Sequence, residues 1–71
     1  MRVTGTVEYR DLEGGIWQLA ADDGRRYTLL GRKSDLRAAQ GARVEVEGAV
    51  EDGAGIAMAG PQLRVERLKK L

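Results

Sequence analysis

The chain has 71 residues, with 12 Lys and Arg against 11 Asp and Glu for a net charge of +1, and no cysteine or histidine. That length holds one domain, near the lower limit for a core without disulfides or metal, and leaves no room for a catalytic cleft with a lid. The near-balance of charge gives no long-range pull toward nucleic acid, and the missing Cys and His remove thiolate chemistry, the usual zinc ligands and the commonest general base.

Val3, Gly5, Val7 and Tyr9 alternate with Thr4, Thr6 and Glu8, the period of a half-buried first strand, with Gly5 expected to mark a bend. Glu13-Gly14-Gly15 turns the chain into Ile16 to Ala21, where Trp17 and Leu19 are the expected inward pair. Asp22-Asp23-Gly24-Arg25 makes a tight hairpin, since Asp-Gly supplies the positive backbone dihedrals such turns need. Arg26 to Leu30 follows as a third strand, with Tyr27 and Leu29 inward. Ser34 is the expected cap of a short helix closed by Gly41, with Asp35 in its first turn and Leu36, Ala39 and Gln40 facing a barrel floor. Strict alternation over Arg43, Val44, Glu45, Val46, Glu47 to Val50 gives a fourth strand with Val44, Val46 and Val50 inward. After the turn Asp52-Gly53-Ala54-Gly55, Ile56 and Met58 begin a fifth, which Gly60-Pro61 interrupts before Leu63, Val65, Leu68 and Leu71.

Three strands, one short helix and further strands make the order of a small all-β, five-stranded Greek-key barrel, the OB-fold, as a single domain over residues 1–71. Gly5-Thr6-Val7, the run from Glu13 to Leu19, the run from Asp23 to Tyr27 and the run from Gly41 to Gly48 resemble short bacterial OB-like domains of unassigned function. The resemblance spans nearly the whole chain and rests on turn glycines and core positions. It implies the fold and carries over no catalytic, cofactor or metal-binding residue.

Function must then be sought in local clusters. Tyr9, Trp17 and Tyr27 are the only aromatics, and all sit on inward parity, which favours a packed aromatic core over a platform on which bases stack. The outward positions of the second and third strands are Gln18, Ala20, Arg26 and Thr28, with Ile16 and Leu30 at the ends. The loops that border the usual OB ligand site carry Asp11, Glu13, Glu51 and Asp52, which would repel phosphate and attract a basic partner or a hard cation. Their spacing matches no calcium loop, so solvated acidic turns are the favoured reading.

Two basic runs, Arg25, Arg26, Arg32, Lys33 and Arg64, Arg67, Lys69, Lys70, are expected to meet where the third and fifth strands pair. That merged patch is the argument for single-stranded nucleic acid. The acids among them, Asp22, Asp23, Asp35 and Glu66, favour a solvated face instead. Gly53-Ala54-Gly55 lacks the lysine and helix of a phosphate loop. An incompletely closed barrel would leave a strand edge near Gly60-Pro61 for a second copy or a peptide.

The expectation is a non-catalytic binding module without cofactor, contacting protein or peptide, with weak charge-driven binding of single-stranded nucleic acid as the alternative. No apolar run approaches the ~20 residues of a membrane helix. The strand pattern starts at Met1-Arg2 with no apolar leader core, so a soluble cytoplasmic protein is the default expectation, and the envelope the alternative if a leader has been removed.

Overall fold

The computed structural model describes residues 1–11, 14–51 and 61–71. Five strands, β1 (Arg2–Arg10), β2 (Ile16–Ala21), β3 (Arg26–Leu30), β4 (Arg43–Glu51) and β5 (Gln62–Lys70), close into a barrel in the order β1-β2-β3-β5-β4. The one helix, α1 (Lys33–Ala38), lies between β3 and β4. This is the OB-like barrel that the order of strand signals implied. No helix among the described residues is long and apolar enough to cross a membrane.

The strands form because their alternation matches the pleat, and they close because β1 serves two neighbours. Its residues from Gly5 to Arg10 pair with β2, while Arg2 to Thr6 pair antiparallel with β4. Val3, Val7, Leu19, Tyr27, Leu29, Val44, Val46 and Leu63 face the interior and are buried. Each such side chain contributes roughly 1.5–3 kcal/mol by leaving water. Leu36 and Ala39 of the helical segment, 2% and 0% exposed, plug the barrel as their spacing foretold.

Several local expectations are corrected. The register of β1 is unbroken through Gly5; what demands glycine there is the close approach of the Ala20 carbonyl, which a Cβ would strike. The irregularity lies instead in the β4–β5 pair, where the register shifts between Glu47 and Gly48. Ser34 does not cap α1: the cap position is Arg32, with no side-chain hydrogen bond, and the helix begins one residue before Ser34. Gln40 is exposed and lies outside the plug. Gly41, at φ 79°, closes the turn and donates its N–H to the Val7 carbonyl.

The barrel closes through β1–β4, and next to the proline Gln62 pairs with both β3 and β4. The Pro61 carbonyl accepts the Thr28 N–H at 2.9 Å where β5 joins β3. Leu71, which follows β5, is exposed. The expectations at Glu13, Asp52, Gly53 to Gly55, Ile56, Met58 and Gly60 lie outside the described residues.

Candidate functional site

The β2–β3 hairpin has two ends of different character. At its tip, Gly24 at φ 92° allows the tight turn and Asp23 Oδ1 accepts the Arg25 N–H at 2.9 Å. Asp22 accepts two hydrogen bonds from Arg43, Nη1 to Oδ1 at 3.0 Å and Nη2 to Oδ2 at 2.8 Å, the parallel fork in which guanidinium fits carboxylate best. Arg26 Nη1 reaches Glu8 Oε1 at 2.6 Å across β2. These contacts set the charge states. The hydrogen bond from Arg43, reinforced by its charge, holds the Asp22 carboxyl below its ordinary value, and the same bond raises Arg43. The hydrogen bond from Arg26 likewise lowers Glu8, helped by the charges of Arg26 and Arg10 and opposed by slight burial.

At the base of the hairpin, Tyr9 and Trp17 are cross-strand partners whose rings meet at 4.8 Å between centroids and 59° between planes. The pair is not interior. Tyr9 is 43% exposed and Trp17 only partly buried, so of the three aromatics the core takes Tyr27 alone in full. Parity was read correctly and depth was not. Tyr9 and Trp17 continue the inward row that runs through Leu29, Leu63 and Val50. The middle of that row is buried, whereas its ends, Tyr9 and Val50, stand exposed. Val50, at 39% exposure, is therefore a second correction.

Gly15, at φ 106°, passes beneath this pair: a Cβ there would collide with the Tyr9 hydroxyl. Beside it opens a pocket of about 250 Å³ lined by Gly15, Ile16, Trp17, Thr28, Leu29, Leu30, Gly31, Lys33 and Leu36. On the outer face of the sheet, Gln18 and Thr28 oppose each other and are 6% and 3% exposed, against the expectation of a solvated surface. Arg10 Nε donates to Gln18 Oε1 at 3.3 Å.

The basic runs do not merge as expected. β3 and β5 pair in parallel, with Thr28 opposite Gln62 and Leu30 opposite Arg64. Arg25 and Arg26 at the start of β3 therefore lie away from the β5 cations, and Asp23 and Glu8 neutralise them. Arg64 is held by Glu51 at 2.5 Å. Arg32 alone of the first run joins the second directly, across a groove of about 420 Å³ between α1 and β5 lined by Arg32, Asp35, Ala38, Val65, Glu66, Leu68 and Lys70. Lys33 lines the aromatic pocket instead. Arg67 and Lys69 lie opposite Glu47 and Glu45 on the outer face of β4.

The acidic cluster also fails to assemble among the described residues. Asp11 is exposed, Glu51 is spent on Arg64, and Glu13 and Asp52 lie outside them. No group of three potential metal-ligating side chains occurs among the described residues.

No family description matches this chain, and no curated protein or solved structure matches it either. The candidate surface thus rests on its own geometry. Sequence reasoning missed its composition because alternation reports which face a residue occupies and not how far along the barrel its neighbours cover it. The signal available was position: Tyr9 and Trp17 stand one residue in from the ends of their strands, close to Gly14-Gly15.

Proposed function

We propose that the chain is a non-catalytic OB-like interaction module that contacts protein or peptide at the base of the β2–β3 hairpin. The observation that carries this reading is the Tyr9–Trp17 pair, half at the surface beside an apolar pocket. Aromatic side chains that present large area with little conformational entropy to lose are the usual anchors of protein contacts.

Selection of displayed random peptides on the whole chain, with Tyr9→Ala as the comparison, tests it. Peptides that bind the native chain and lose binding on Tyr9→Ala are expected. Recovery of no peptide, or of peptides indifferent to Tyr9, would contradict the reading.

A second reading is favoured by one specific feature. Arg32 and Lys70 line the groove between α1 and β5 and have no ion pair among the described residues. This cluster supports weak, salt-sensitive binding of single-stranded nucleic acid. It carries no aromatic ring, so bases would gain no stacking there.

A further inference from the structure

We propose that the pocket at the base of the hairpin receives an apolar side chain from an acidic peptide segment, with Lys33 meeting the carboxylate beside it; the proposal rests on the peptide-contacting reading above. The pocket, about 250 Å³, lies just under the ~300–1,000 Å³ of sites that enclose small-molecule ligands, and suits one side chain of a larger partner. Its floor is Leu29 and Leu36, both buried, and its walls are the half-buried Ile16, Trp17 and Leu30. Gly15 and Gly31 line it with backbone alone, and a Cβ at either would press on Tyr9 or Val65. Desolvating an apolar side chain here supplies the affinity.

Charge supplies the selectivity. Lys33 is the only charged residue among those described that line the pocket, it is exposed, and no carboxylate pairs with it among the described residues. Of the cations nearby, Arg64 lines up with Leu30 and is held by Glu51, whereas Arg10, opposite Ile16, donates to the neutral Gln18 and keeps its charge, and so adds to the positive rim. An occupant therefore meets an apolar cavity whose one charged lining residue among those described is Lys33, and complements it by placing an acidic group next to the inserted side chain. The aliphatic stem of Lys33 can lie along the apolar wall while its ammonium stays in water.

A nucleobase fits less well. Besides Lys33, the Trp17 indole N–H and Thr28 are the only polar side-chain groups of the described lining residues, leaving few partners for a base edge, and one charged lining residue is no track for successive phosphates.

Displayed random peptides are selected in parallel on the whole native chain, on Lys33→Gln and on Lys33→Glu. Because Lys33 is exposed, both variants should keep the native urea midpoint and tryptophan emission, which establishes that they fold. The expected result is that peptides from the native chain carry Asp or Glu next to a large apolar residue. Synthetic copies should bind Lys33→Gln about two- to fivefold more weakly, the range of an exposed ion pair. Selection on Lys33→Glu should turn the acidic preference toward Lys and Arg.

Peptides without acidic bias, or with affinity unchanged on Lys33→Gln, would overturn this proposal and leave peptide contact standing. Recovery of no peptide, together with either salt-sensitive binding of a single-stranded oligonucleotide or a dimeric mass in light scattering, would overturn both.

Discussion

The tip and the base of the β2–β3 hairpin are built from the same two strands, yet they resolve their polar and apolar groups in opposite ways. At the tip each arginine finds a carboxylate of the same chain: Arg25 with Asp23, Arg26 with Glu8, and Arg43 reaching over from β4 to Asp22. At the base a tyrosine, a tryptophan and an apolar pocket stand partly open, with an unpaired lysine among the pocket's described lining residues. The charges at the tip are answered within the chain, whereas the base shows a half-exposed aromatic pair and a lysine without an ion pair among the described residues.

If that contrast is right, the stability of the barrel should come from the core between the two ends. Leu19, fully buried midway along β2, should lose about 2–5 kcal/mol as Leu19→Ala in urea unfolding. Tyr9→Ala, at the half-exposed base, should lose only about 1 kcal/mol. Equal losses would show that the base is part of the core and dissolve the comparison.

Two glycines sharpen it further. Gly15 and Gly24 both have positive φ, but a Cβ at Gly24 meets open space while one at Gly15 meets the Tyr9 hydroxyl. Gly15→Ala and Gly24→Ala should each cost about 1–2 kcal/mol for the left-handed backbone. Only Gly15→Ala should also change the tryptophan emission, by pushing Tyr9 off its neighbour. An emission change from Gly24→Ala would contradict the separation of the two ends.

The tip should make itself known through acid. The carboxyls of Asp22 and Glu8 titrate below their ordinary values in the folded chain, so the stability they contribute is present above the unfolded values and is lost as pH falls through the folded ones. Unfolding free energy should therefore decline between about pH 5 and pH 2. Arg43→Ala and Arg26→Ala should each flatten that decline, and added salt should weaken it because the pairs are exposed. A pH profile untouched by either variant would show that the ion pairs at the tip do not form in solution. The smallest effect is expected at Lys33: Lys33→Gln should leave the urea midpoint within experimental error, since its side chain is exposed and has no ion pair among the described residues.

How much of this was legible in the sequence differs along the chain. The alternation around Val3 and Val7 and around Val44 and Val46 foretold the buried faces, the Asp-Gly step foretold the tip, and the strand–helix–strand order foretold the barrel. The ends of strands were not legible. Val50 shares the inward parity of Val46, but β4 pairs with β1 only as far as Glu47, so Val50 stands beyond the closed part of the wall. The charge pattern was misread for a related reason. Arg26 and Glu8 are eighteen positions apart and become neighbours only through the register that sets Glu8 beside Gln18. Likewise, the parallel sense of β3 and β5 decides which cations come together, and no local pattern in either strand encodes it.

The central claim is that the base of the hairpin serves a polypeptide and not a nucleic acid, and Trp17, the only tryptophan, reports on it directly. Its emission would be followed while a random-sequence single-stranded oligonucleotide is added in low salt and then in high salt. The account predicts a spectrum indifferent to the oligonucleotide at either salt, with partial quenching by a neutral quencher because the ring is partly exposed. Emission quenched by the oligonucleotide and restored by salt would contradict it, and would make the aromatic pair a stacking platform.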